Sequence, residues 1–111
     1  MSIAMAETAV SVDNMVFARA VKSRQPLGVS TEFDESVRQV FCWTKLTTQT
    51  MPVTIRHVWH KDGQKVLEVP LVLKHSTGRY WSQKNVTPGQ WRVDVVSDDG
   101  RVLDSAVFKV K

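Results

Sequence analysis

A single cysteine, Cys42, stands in a chain of 111 residues, so no internal disulfide can form and no cluster of thiolates can hold a metal. Glycine is nearly as sparse. Its five residues sit singly at turn signals, which excludes the glycine-rich loops that cradle phosphates. No Gly-x-Ser-x-Gly elbow occurs to expose a nucleophilic serine at a strand-to-helix turn. No run approaches the roughly 18 apolar residues of a spanning helix. After residue 22 no window shows helical spacing of its apolar residues. A basic block is missing too. Fifteen Lys and Arg against eleven Asp and Glu leave a net charge of +4 without clustering, whereas a phosphate-binding surface concentrates cations on one face. The expectation is a solvated, mixed-charge surface with no nucleic-acid partner.

Hydrophobic residues at 42% and charged residues at 23% are ordinary globular usage, and the length suits one domain. Residues 1–14 lack the basic start and uninterrupted apolar stretch of a secretory signal. They read as a flexible lead-in, or as the remnant of a longer protein cut from behind a membrane anchor, followed by a single domain over 15–111. On this reading the domain meets a membrane only through such an anchor or through a partner.

What the sequence does contain is short runs of Val, Ile, Thr, Phe and Trp, separated every eight to twelve residues by turn chemistry. That pattern predicts an all-β protein. The first run is Val16–Val21, and Pro26 and Gly28 then interrupt regular pairing. Residues 31–35 read as loop, and Val37–Leu46 as the second strand. Val53–His60, Asp62-Gly63 and Lys65–Lys74 form the clearest element, because Asp-Gly between alternating runs is a strong hairpin signal. Pro70 removes a ladder donor, so the return strand should be an edge or carry a bulge there. Arg79–Lys84, Trp91–Ser97 and Arg101–Val110 complete about seven strands. An immunoglobulin-like antiparallel β-sandwich fits, burying Phe17, Phe41, Ile55, Leu71, Trp91, Val93 and Phe108 between its sheets. A small β-barrel is the alternative.

The segments Arg24-Gln25-Pro26-Leu27-Gly28, Phe41-Cys42-Trp43-Thr44, Ile55-Arg56-His57-Val58-Trp59, Arg79-Tyr80-Trp81-Ser82, Pro88-Gly89-Gln90-Trp91-Arg92-Val93, Asp99-Gly100-Arg101-Val102-Leu103 and Phe108-Lys109-Val110 follow one another in order. In that order they resemble the bacterial domain-of-unknown-function family numbered twenty-nine fourteen, across about residues 15–110. The resemblance implies a C-terminal module of envelope or membrane-anchored proteins. It carries no reaction over to any residue, and this chain has no membrane segment to support the location.

Candidate chemistry is thin. His57 and His60 are three apart, and on a strand such positions face opposite sides, so one metal ion cannot use both. His57 shares a face with Ile55 and Trp59 and reads as a hydrogen-bonded core histidine. Ser82, His75 and Asp94 make a triad only on paper, and Cys42 between Phe41 and Trp43 reads as an inert buried thiol. No catalytic residue, metal site or cofactor is expected.

The four tryptophans carry more information. Trp91 alternates with valines and belongs to a core. Trp81 lies on a mostly polar strand, and its neighbour Tyr80 points to the other face. An aromatic ring beside Arg and Gln suits a protein interface or sugar stacking, and equally an arginine stacked on tryptophan to close a sheet edge. The expected function is a non-catalytic interaction module that binds a protein partner by a sheet face or by the edge strand holding Pro70. The candidate residues are Trp59, His60, Arg79, Tyr80 and Trp81, with Arg56 and Lys84 as rim charges. The alternative is a carbohydrate-binding module that stacks sugars on Trp81, Tyr80 and Trp59, which needs at least two exposed, coplanar rings on one surface.

Overall fold

Residues that alternate between apolar and polar settle as pleated strands, and their inward positions meet in a core. The structure, a computed structural model, describes residues 9–111. In chain order the strands are β1 (Val10–Ala18), β2 (Ala20–Lys22), β3 (Gln25–Leu27), β4 (Glu32–Phe33), β5 (Gln39–Thr48), β6 (Val53–Lys61), β7 (Gln64–Leu73), β8 (Thr77–Asn85), β9 (Gly89–Ser97) and β10 (Val102–Val110), with a single 3-10 turn over Glu35–Val37. Seven of them are long. With the short β4 they form a three-stranded sheet ordered β1-β5-β8 and a five-stranded sheet ordered β4-β10-β9-β6-β7. Every long pair is antiparallel, and only the two-residue β4 runs parallel to β10. The sheets face each other and neither closes, so the protein is a β-sandwich and the barrel alternative falls away.

The expected hairpin is present. Asp62 and Gly63 both take positive φ, 48° and 86°, between register partners Lys61 and Gln64, the turn geometry that matches strand twist. Strand β7 with Pro70 is an edge of its sheet. The bulge in this pair lies at Trp59/His60 instead of at Pro70.

Two expectations need correction near the start. Strand β1 begins at Val10, so residues 10–14 belong to the sandwich, while residues 1–8 of the expected lead-in lie outside the described residues. The stretch around Pro26 and Gly28 does not end pairing. It forms a small hairpin, β2 with β3, because Ser23 and Arg24 both accept left-handed backbone at φ 50° and 64°. Pro26 is tolerated since, among the described residues, this ribbon has no third strand on its outer side.

The core centres on Phe108. Its ring meets Phe17 at 4.5 Å, Phe33 at 5.8 Å edge-on, Trp59 at 6.1 Å edge-on and Trp91 at 5.9 Å stacked, within the favoured range for aromatic pairs. Phe17, Ile55, Trp91 and Val93 are buried as expected, and Leu71 is half-buried. Phe41 is not a core residue. Val40 and Cys42 occupy the inward positions of β5, and alternation turns Phe41 outward to a half-buried site.

The core is divided. Val40, Cys42 and Trp59 belong to the Phe108 cluster, and Leu46, Ile55, Leu73 and Val95 form a second one. Between them along β5 and β6 come Thr44 and His57, both fully buried. Among the described residues no helix is long and apolar enough to cross a membrane.

Candidate functional site

On β8, alternation sends Tyr80 and Ser82 inward and Arg79, Trp81 and Gln83 outward. The register then sets Lys45 opposite Arg79 and Trp43 opposite Trp81 on the outer face of the three-stranded sheet. The β2–β3 turn reaches this face: the indole N–H of Trp43 donates to the carbonyl of Arg24 at 3.0 Å. That bond and the turn above it leave Trp43 only 5% exposed. Trp81 stays half-buried. The indoles of Trp43, Trp59 and Trp91 each donate to a protein acceptor. Among the described residues Trp81 has no such acceptor.

Beside these rings opens a cleft of about 410 Å³ lined by Arg24, Lys45, Thr77, Gly78 and Arg79. Arg24 comes from the small hairpin, Lys45 from β5 and Arg79 from β8. Among the described residues no carboxylate lies within ion-pair distance of these three cations. Like charges directly opposite on adjacent strands repel, and Lys45 and Arg79 hold that relation.

The sequence-derived candidates do not assemble into one surface. Trp59 is fully buried, so it must be withdrawn as a contact residue. Its indole donates to Ser82 Oγ at 3.0 Å and its ring packs on Phe108. Tyr80 also turns inward, against the cluster of Ile55 and Leu73. Its ring lies back over Gly78, where a Cβ would come within 2.7 Å of the ring. Lys84 shares the inward parity of Ser82, and its Nζ sits 3.4 Å from the carbonyl of Asn85.

Arg56 and His60 are on the outer face of the other sheet, where acids already match them. Arg56 pairs with Glu68 at 3.1 Å and Asp98 at 3.8 Å, and His60 Nε2 lies 3.2 Å from Asp94. That His60 contact lacks the alignment of a hydrogen bond. Only Arg79 and Trp81 of the candidates remain together. Arg24, Trp43 and Lys45 were missed, because their convergence depends on a register and a hairpin that no local run of sequence encodes.

His57 and His60 do face opposite sides of their sheet, as strand alternation requires. His57 Nδ1 is 2.7 Å from Ser82 Oγ and Nε2 is 3.2 Å from Thr44 Oγ1. Thr44 donates its one hydroxyl proton to the carbonyl of Tyr80 at 2.6 Å, so it must accept from His57 Nε2–H. Ser82, accepting from Trp59, then donates to Nδ1. Burial pushes the His57 imidazole down to about 4 and the Cys42 thiol well above its ordinary range. Ser82 is thus a core residue bonded to His57. It is separated from His75, in the β7–β8 turn, and from Asp94, on the outer side of β9.

The family model described as "Protein of unknown function (DUF2914)" matches residues 52–110. The chain belongs to this family. The match covers β6 to β10, so Arg79 and Trp81 fall within the DUF2914 segment while Arg24, Trp43 and Lys45 precede it. Curated proteins yield no match to the chain.

Proposed function

We propose that this DUF2914 domain is a non-catalytic interaction module, part of a bacterial envelope protein or a larger assembly, that binds a protein partner through the outer face of its three-stranded sheet. The observation that carries the reading is Trp81: half-buried, with no acceptor for its indole N–H among the described residues, on the same face as Arg79. Tryptophan and arginine are both enriched at interface hot spots. Strand β8 adds to this, since it is an edge of its sheet and offers one side for strand addition.

The carbohydrate reading has less support. It calls for two exposed rings on one surface, but Trp59 is in the core, Tyr80 faces inward and Trp43 is covered. The test is capture of a partner from an envelope extract by the full chain. Wild type should retain a defined protein that Trp81→Ala loses while keeping its thermal midpoint. Equal retention by both would remove the reading. A tryptophan emission shift with neutral oligosaccharides and no protein partner would favour sugar binding.

A further inference from the structure

Three cations supplied by three separate elements meet in the cleft beside Trp81, with no acid among the described residues to match them. Arg24 stands in the tight β2–β3 turn, held against Trp43 by its own carbonyl. Lys45 and Arg79 are register partners, the arrangement in which neighbouring strands repel. The carboxylate of Asp13 accepts from the Thr47 hydroxyl and lies beyond ion-pair distance of all three cations. The contrast with the opposite sheet is direct, because there Arg56 and Arg92 are each matched by an acid. Thr77 lines the same cleft. A carboxylate placed there would offset the repulsion and meet guanidinium donors in fork geometry.

Resting on the interaction-module reading, we propose that the Arg24–Lys45–Arg79 cleft recognises the carboxylates of an acidic segment of the partner protein, added as a strand along the open edge of β8. Side chains on a strand alternate, so acids two residues apart fall on one face. That is the spacing at which Arg79 and Trp81 leave β8. The edge supplies backbone hydrogen bonds and the cleft supplies the choice of side chain.

The test uses the full chain and a fluorescently labelled ten-residue peptide alternating glutamate and threonine, with its glutamine counterpart as control. Anisotropy should rise for the glutamate peptide alone and fall away as salt is added. Lys45→Gln and Arg79→Gln should each weaken binding by about three- to tenfold, while Lys65→Gln, remote from the cleft, leaves it unchanged. Both cleft variants should also keep or raise the thermal midpoint, since each removes a repulsion.

Equal weakening by Lys65→Gln would assign binding to net charge and overturn the proposal. So would displacement of the peptide by millimolar inorganic phosphate with no preference between glutamate and glutamine sequences, which would make the cleft a small-anion site. A partner lost in Trp81→Ala but kept in both cleft variants would sink the acidic-segment proposal and leave the interaction module standing.

Discussion

Ser82 on β8 and His57 on β6 are joined by a 2.7 Å hydrogen bond that crosses from one sheet of the sandwich to the other. It continues a chain of polar groups running from the Trp59 indole through Ser82, His57 and Thr44 to the Tyr80 carbonyl. Every donor in that chain has an acceptor once the Nε2–H tautomer is assigned. A satisfied polar layer between two apolar clusters fixes how the sheets register, because sliding either sheet by one residue pair leaves buried groups unpaired.

Acid should unfold the protein through this layer. The His57 imidazole is held down at about 4 by burial, against an ordinary value of 6.5. Between those values the unfolded chain binds a proton that the folded chain refuses. Stability is therefore complete above about pH 6.5 and declines as pH falls toward 4, by about 3 kcal/mol. Urea midpoints at pH 7.0 and 4.5 measure the decline. The His57 ring resonances should stay those of a neutral imidazole above pH 5.

Replacing Ser82 by alanine removes the acceptor of the Trp59 indole and the donor to His57 Nδ1 together. Two buried polar atoms are then left without partners, which costs on the order of 2–4 kcal/mol. Chemical denaturation of Ser82→Ala should show that loss at pH 7.

Much of this architecture was legible in alternation. Six of the seven long strands, the Asp62-Gly63 hairpin and the opposite facing of His57 and His60 follow from period-two spacing and one turn dipeptide, whereas the first strand, expected at Val16–Val21, runs over Val10–Ala18. Parity also explains the error at Phe41, since apolar residues at 40, 41 and 42 allow either phase and the core took Val40 and Cys42. Trp59 was misjudged as a contact because its indole N–H invites a polar setting, which Ser82 supplies inside the core. The cleft was illegible for another reason. Arg24, Lys45 and Arg79 are far apart in sequence, and only strand pairing brings them together.

Phe108 should be the costliest single truncation. Its ring touches four other aromatic rings drawn from both sheets, so no one element can collapse to fill the space. Phe108→Ala should lose about 3–5 kcal/mol, and Phe108→Leu clearly less. Thermal and urea unfolding of the two variants give the comparison.

Cys42 should behave as a clock for unfolding. Its thiol is fully buried and burial holds it protonated, while reaction with a disulfide reagent requires the exposed thiolate. In native buffer the thiol should stay unreacted over the time in which urea-unfolded protein reacts fully. The rate in intermediate urea should track the unfolded fraction measured by circular dichroism.

Tryptophan quenching should separate Trp81 from the other three by both exposure and charge. Trp43, Trp59 and Trp91 are 5%, 0% and 3% exposed, so small quenchers reach Trp81 first. Two residues before it on the same face is Arg79, opposite Lys45, and this local positive potential concentrates anions and repels cations. Iodide should therefore quench the accessible fraction much more strongly than caesium at equal concentration. The difference should shrink as inert salt screens the cleft charges. Trp81→Phe should abolish most of the iodide-sensitive emission, and Arg79→Gln should leave that emission in place while bringing the two quenchers closer together. Equal quenching by both ions in the parent chain would mean that the cleft cations do not govern the field at Trp81.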